Sequence, residues 1–336
     1  MNFNKIEIAE FSRLKESVEK IEYILSFAIH APSTHNTQPW LFKVVDDTCE
    51  LKVNKKVLLK EADPDGRNLY ISFGCLIENI SLISDFFGVN IVVEYLNTND
   101  SIARIKFDFK KQNADRSLDK VVSAILRRAT FRGIFTDKKI AVKYYSEVQK
   151  INDFNDTELV VISDQTSLKS IAGLVHDSIV KVANYRPFRV ELGNWMISNL
   201  SRRKDGIPGY AYGFPTLISV LTPRVIKILN PSKMMGAKTK KTFDTAQAVF
   251  VIATKEDNKS AWINAGRLSQ RVMVHLTAND IKFSISVAPI QDADSLKELK
   301  KLLPSKNHPQ FMYSVGYADV ELRPTPRHEL SKLLIK

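Results

Sequence analysis

Ala31-Pro32-Ser33-Thr34-His35-Asn36-Thr37-Gln38-Pro39-Trp40 is the stretch whose reading decides the fold. It follows a strongly helical segment and precedes a strand-like one, so it reads as a rigid polar loop between two buried elements. Proline fixes its own φ and disfavours a helical residue before it, so Pro32 ends the helix and Ala31 and Gln38 are expected to be extended. Between the prolines stand only small, hydroxyl-bearing, imidazole and amide residues. Such a loop offers hydroxyls, an Asn amide and main-chain N–H groups at fixed positions, which suits the polar edge of a flat heteroaromatic ligand. The same pattern also fits an ordinary turn.

Upstream, Leu14, Val18, Ile21, Ile24, Leu25, Ala28 and Ile29 recur at helical spacing, predicting a core helix over 14–29. Downstream, 41–45 and 51–53 read as a hairpin turning through 46–50. Asp63-Pro64-Asp65-Gly66-Arg67 is a turn ahead of a long helix over 69–87, closed by Gly88 and carrying small residues at Ser72 and Gly74. Strands are expected at 89–95 and 102–109, and the polar run 110–116 is the candidate boundary between two units, 1–115 and 116–336.

Past that boundary a helix over 118–126 leads into Arg127-Arg128-Ala129-Thr130-Phe131-Arg132-Gly133-Ile134-Phe135. Helices are expected over 167–181 and 188–200. Residues 205–215 then hold three glycines, two prolines and three aromatic rings. That composition suits a hinged lid over an aromatic ligand, or a surface loop whose rings pack on their own domain. An apolar helix over 215–229, a doubly buried strand over 246–254, a long helix over 260–277 and strands over 281–287 and 311–318 complete the chain.

The 336 residues, 44% apolar, suffice for two core units, and no apolar run is long enough to cross a bilayer. Met1 to Glu10 lacks an apolar signal core, so a cytoplasmic protein is expected. Cys49 and Cys75 make no disulfide framework and no metal-ligand spacing, and His30, His35, His176, His275, His308 and His328 form no triad or metal group. His35 is expected to face solvent, with a place in the pocket lining as the alternative. The net charge of +12 is spread along the chain, with short clusters at 202–204 and 238–241 and no aromatic interleaving. It is read as solubility and attraction of phosphate-bearing ligands, with neither nucleic acid nor membrane as partner.

The run A-P-S-x-x-N-x-Q-P-W between helix and strand resembles the flavin-contacting segment of the nitroreductase family of FMN-dependent oxidoreductases. D-P-x-G-R followed by I-S-x-G-x-x-x-x-N resembles the Acg-like branch, in which one chain holds two related halves. R-x-[ST]-x-R-x-x-F at Arg128, Thr130, Arg132 and Phe135 resembles the opening motif of ordinary nitroreductases, which holds the FMN phosphate; its position here implies that a second copy begins near residue 127. Ala265 to Arg271 is similar to the family's core helix. Ala288-Pro289-Ile290-Gln291 resembles the segment beside the reactive flavin edge, with Gln291 where an acid is usual. Pro324 to Leu330 matches the C-terminal phosphate segment at Arg327.

The resemblance implies an α+β, nitroreductase-like fold, an internally duplicated pseudo-dimer with central mixed sheets flanked by helices. The first half lacks the phosphate motif, since Phe11-Ser12-Arg13-Leu14 is a poor substitute, and the second lacks the ring loop, so one FMN per chain is implied. Arg128, Thr130, Arg132 and Arg327 then serve the phosphate and ribityl chain, Pro32, Ser33, Thr34 and Asn36 the ring, and Pro289, Ile290 and Gln291 its N5 side, with the lid at about 205–215 covering it. Hydride would pass from NAD(P)H to a nitroaromatic or quinone-like acceptor. The alternative is a non-catalytic protein that stores or sequesters FMN beneath the lid. Folding and binding would need no second chain, and further oligomerisation stays open.

Overall fold

The computed structural model describes residues 6–96, 98, 100–110 and 114–335, so part of the boundary run, 111–113, lies outside the described residues. The first half forms α1 (Ile8–Phe11), α2 (Ser17–Ala28), β1 (Trp40–Val45), β2 (Thr48–Val53), α3 (Arg67–Phe86), β3 (Asn90–Tyr95) and β4 (Ser101–Asp108). The second forms α4 (Asp119–Arg127), α5 (Val142–Gln149), β5 (Thr157–Ile162), α6 (Gln165–Asn184), α7 (Arg186–Trp195), β6 (Met196–Ile197), β7 (Ile207–Pro208), α8 (Thr216–Ile228) and α9 (Ser232–Asp244). It ends with β8 (Ala248–Thr254), α10 (Lys259–Ala278), β9 (Lys282–Ile285), α11 (Ala288–Gln291), α12 (Ala293–Leu302) and β10 (His308–Gly316).

The two large sheets are wired alike. One runs β1-β2-β4-β3 and the other β5-β8-β10-β9, so each places its strands in the order first, second, fourth, third. In both, a twenty-residue helix, α3 or α10, separates the second strand from the third. Every neighbouring pair in these sheets is antiparallel, which corrects the expectation of mixed sheets. The reason is topological: the fourth strand inserts between second and third, so the helical crossover never leaves two parallel strands side by side. Parallel pairing among the described residues is confined to the two-residue β6–β7 contact and an isolated bridge between Phe42 and Leu334. The first hairpin is also tighter than expected, with Asp46 taking the left-handed φ of 52° that a two-residue turn demands.

The glycines explain how the halves meet. Gly74 and Gly266 are each the eighth residue of their helices, and a Cβ on Gly74 would lie 2.1 Å from the Ile263 carbonyl oxygen, one on Gly266 2.1 Å from that of Ile71. The two helices therefore cross with backbone against backbone. One core then runs through both halves, joining Phe27, Trp40 and Phe73 to Leu268, Phe250 and Tyr313. By length and composition α3 would suffice to cross a bilayer, yet 83% of its apolar window is buried inside the protein. The C-terminal tail returns to the first half: Phe42 N–H donates to the Leu333 carbonyl and Ile335 N–H to the Phe42 carbonyl, each at 2.8 Å, along the edge of β1.

Gly74→Ala or Gly266→Ala is expected to destabilise the protein by about 3 kcal/mol, the upper end of ordinary overpacking costs. Gly173→Ala, in α6 with nothing within 4 Å of its Cβ, should be neutral or stabilising. Urea unfolding midpoints check this, and equal midpoints for all three would refute the crossing.

Candidate functional site

Two segments build the site. Arg128 leaves the helix at the C-terminal end of α4, where its N–H still donates to the Ala124 carbonyl at 2.9 Å. From there 129–136 is laid along the second sheet: Phe131 N–H donates to the Phe283 carbonyl and Thr136 N–H to that of Tyr317, both at 2.8 Å. Arg128, Thr130 and Arg132 are thereby presented to one cavity.

The other segment is the loop after α2. His35, Asn36 and Gln38 all hold left-handed φ values, 52°, 57° and 51°. For non-glycine residues each such geometry costs on the order of 1 kcal/mol and persists only when the surroundings impose it. The expected extended Gln38 is thus corrected, and its side chain shows why: Nε2 donates to the Lys204 carbonyl at 2.7 Å, Oε1 accepts from His328 N–H at 2.9 Å, and its own N–H donates to Ser33 Oγ at 2.9 Å. Asn36 is held equally firmly. Its Nδ2 donates to the Gly206 and Pro326 carbonyls at 3.0 and 3.1 Å, and Oδ1 accepts from Arg327 Nη1 at 2.8 Å.

Arg327 closes that clamp. Its Nε donates to the Ile29 carbonyl, Nη2 to those of His30 and Ala31, and Nη1 to Asn36 Oδ1 and Thr325 Oγ1, at 2.7–3.1 Å. All sides of its guanidinium are engaged with the loop and the tail. Arg128 is the opposite case. It is 5% exposed, and its Nε and Nη1 have no hydrogen-bond partner among the described residues. Burial lowers the Arg128 pKa to about 10 and, together with the Arg128 charge, that of Arg327 to about 9, so both remain cations at neutral pH.

Between the segments lies a cavity of about 350 Å³, within the range of small-molecule sites. Pro32, Ser33, His35 and Asn36 line one wall, Arg128, Thr130 and Arg132 another, with Arg327 beside them. Tyr210 and Tyr212 stand across it, Arg132 lying 4.6 Å from the Tyr212 ring centre and Arg323 4.4 Å from that of Tyr210. Four arginines against Glu321 make the lining strongly positive. The histidines register that field: burial first, then Arg327 and Arg128, push His30 down to about 3, while burial and Arg132 push His35 down to about 4. His35, expected in solvent, lines the cavity with a buried, unpartnered Nε2.

Other expected residues stand elsewhere. Thr34 faces a second cavity, about 500 Å³, on the far side of the loop, with Asp63, Tyr70 and Lys259. Pro289 and Ile290 are buried in α11, and Gln291 Nε2 donates to the Ala62 carbonyl at 2.7 Å, none of them lining the first cavity. Sequence reading missed Arg323 and the clamping role of Gln38, and lone polar residues far apart in the chain carry no signal that would have paired them. Among the described residues no group of three His, Cys, Asp or Glu gathers for a metal.

Fold and site together define an α+β protein with a positively charged cavity lined from both parts of the chain and faced by Tyr210 and Tyr212. The family model described as "Nitroreductase family" matches residues 11–79. The Mycobacterium tuberculosis protein acg, named provisionally as an NAD(P)H nitroreductase, is 28% identical over 317 residues, 92% of each chain. Rv3131 of the same organism, named likewise, is 23% identical over 330 residues, 94% of this chain and 91% of the relative. A solved nitroreductase with bound FMN from Desulfitobacterium hafniense overlaps 62% of this chain and 93% of its own at 12% identity and a TM-score of 0.38, too loose a likeness to bear on the site. The chain is therefore similar to the nitroreductase family, over residues 11–79 to its model and along most of its length to these two relatives.

The contrast between the two buried arginines gives a prediction. Arg327→Met orphans several carbonyls and should cost about 2–5 kcal/mol, whereas Arg128→Met removes an unpaired buried cation and should leave the ligand-free protein as stable or more so. Denaturant melts of both variants test this; equal losses would contradict the assignment. His35 supplies a second. Its depressed pKa means the unfolded chain binds more protons, so stability falls as pH drops from 6.5 through about 4, and His35→Gln should flatten that fall.

Proposed function

We propose that the chain is an FMN-dependent oxidoreductase built from two duplicated halves, accepting hydride from NAD(P)H and delivering it to a nitroaromatic or quinone-like acceptor. The observation that carries this reading is Arg128, a buried cation with two unpartnered nitrogens at the edge of a cavity faced by aromatic rings. A monoester phosphate matches it in charge and hydrogen-bonding need, and a flat polar ring system matches the space between Ser33, His35 and the tyrosines. Bound there, FMN would supply the two-electron chemistry.

The chain's own residues bind, orient and shield. Arg128, Arg132 and Thr130 would take the phosphate and ribityl end. Pro32, Ser33 and His35 would face the ring, with His35 held neutral by burial and able to serve as donor or acceptor. Asn36, Gln38 and Arg327 act one step back, locking the loop into its left-handed turns. Thr34, Pro289, Ile290 and Gln291, expected at the ring and its reactive edge, do not line this cavity and take no part in this reading. Tyr210 and Tyr212 would exclude water from one side.

Retention of FMN without turnover is the second reading, and the fastening of the cover favours it. Residues 204–212 are held to the ring loop through Lys204 and Gly206, to Arg132 through the Ala211 carbonyl at 3.1 Å, to Lys238 through the Tyr212 carbonyl at 2.7 Å, and to Pro324 through the Tyr210 hydroxyl at 3.0 Å. Anaerobic stopped-flow mixing of the FMN-loaded protein with NADH or NADPH separates the two. Bleaching within seconds, reversed by a nitroaromatic or quinone, is the outcome expected of the enzyme; colour that persists for minutes leaves retention. In the same protein Arg128→Ala should weaken FMN binding about 10- to 100-fold, the worth of a charged hydrogen bond or two, and unchanged affinity in a fluorescence titration would remove the phosphate assignment.

A further inference from the structure

The helix α8 is inside out. Its buried stripe is Ser219, Thr222 and Ile226, whereas Leu217, Leu221, Val225 and Ile228, one helical face at i, i+4, i+8 and i+11, stand in solvent. Leu217 is 83% exposed, Ile228 78%, Leu221 and the adjoining Leu229 58% each, and Met234 at the start of α9 64%. Scattered apolar residues on a surface need no explanation, but a contiguous stripe of this size marks an interaction site.

The charges beside the stripe identify the partner. Residues 206–243 contain six Lys or Arg and no Asp or Glu. Some of these have local duties: Lys238 binds the Tyr212 carbonyl, and Lys240 pairs with Asp244. Arg224, on the apolar face, and Lys233, beside Met234, are exposed and make no hydrogen bond or ion pair among the described residues. An apolar stripe rimmed by cations with no anion among them is complementary to a surface of fatty-acyl chains under anionic headgroups. A second copy of the chain is poorly matched, since an isologous contact would press this cationic rim against itself.

We propose that the α8 face docks on an anionic lipid bilayer, lying in the interface plane with its leucines and isoleucines among the acyl chains. This departs from the absence of a membrane partner expected from sequence, which rested on the lack of a spanning segment and does not bear on a helix that lies flat. The reverse side of the same helix braces the cavity's cover: Ser219 Oγ accepts from Asn199 N–H at 3.0 Å, and Asn199 Oδ1 accepts from Tyr210 N–H at 2.6 Å. Docking would therefore set the cover close to the lipid surface. The inference stands independently of the flavin reading.

The test is co-sedimentation of the full chain with vesicles of phosphatidylcholine alone or mixed with phosphatidylglycerol, alongside its sedimentation velocity without lipid. Binding to the mixed vesicles is expected, weakening steeply between 0.1 and 0.5 M salt as screening grows. Leu217→Glu with Leu221→Glu should lower the partition coefficient at least tenfold, and Arg224→Ala with Lys233→Ala roughly 25-fold, about fivefold for each charge removed. Both pairs are exposed, so unchanged melting temperatures establish that the variants fold. Wild-type protein that stays in the supernatant with mixed vesicles, or that binds as well after the leucine substitutions, overturns the proposal. A lipid-indifferent dimer that the leucine substitutions dissociate overturns it in favour of a second copy.

Discussion

The close approach of Gly74 and Gly266 places everything else. A methyl group at either position would meet a carbonyl oxygen of the opposite helix, so only hydrogen lets α3 and α10 touch along their backbones. The contact repeats: the eighth residue of each helix lies against the fifth of the other, Ile263 or Ile71. That reciprocity gives the helix pair a twofold character, and the identical strand order of the flanking sheets extends it to both halves. A side chain at the crossing would separate two sheets whose inner faces now contribute to one core.

Just beyond the crossing, a polar layer carries its position outward to the site. Gln270 Nε2 donates to Asn79 Oδ1 at 2.7 Å, and Asn79 Nδ2 donates to the Ala28 carbonyl at 3.0 Å, at the end of the helix that delivers the ring loop. Alongside, the fully buried Glu78 accepts from Arg267 and Arg271, and Arg271 reaches on to Asp153 at 2.7 Å. Buried ion pairs of this kind contribute little net stability because desolvation offsets their attraction, but losing one partner strands the other charge. Their consequence here is registry. Sliding α3 along α10 by one residue would separate Glu78 from its arginines while driving each glycine off its carbonyl.

Most of the architecture was legible because its long elements are periodic. The helices that became α3 and α10, the strand that became β8 and the ring loop between α2 and β1 all stood out by apolar spacing or by prolines and glycines. The 138–166 stretch and α9 did not. In α9 only Ser232, Gly236, Thr242 and Phe243 are buried, and it packs through Gly236 against His176 and Val180 of α6, so close approach replaces the apolar stripe that periodicity detects. The cavity lining was legible only in part: Pro32, Ser33, Asn36, Arg128, Thr130, Arg132 and Arg327 line it, whereas Thr34, Pro289, Ile290 and Gln291 do not, and the different surroundings of the two buried arginines were not legible. Arg128 and Arg327 look equivalent in sequence, and what separates them is whether neighbouring carbonyls, supplied by residues 29–31 far away in the chain, already occupy their N–H groups.

That division follows from the strain in the loop. Three left-handed residues within four positions would relax toward ordinary turns unless held, and two of them are tied to two remote segments: Asn36 to Gly206 and to Arg327 of the tail, Gln38 to Lys204 and to His328 of the tail. Gly206 itself needs its φ of 79°, because a Cβ there would sit 2.7 Å from the Trp195 carbonyl. An arginine used this way has little capacity left for a ligand. Arg128 is free of such duties, and its buried Nε and Nη1 are left without a partner, at an energetic cost that a bound anion would relieve. The clamp and the cover share the same atoms, since Asn36 and Gln38 hold Gly206 and Lys204 as well as the tail. The 204–206 segment and the 31–38 loop are thus tied together through two side chains, and a displacement of either would strain the other.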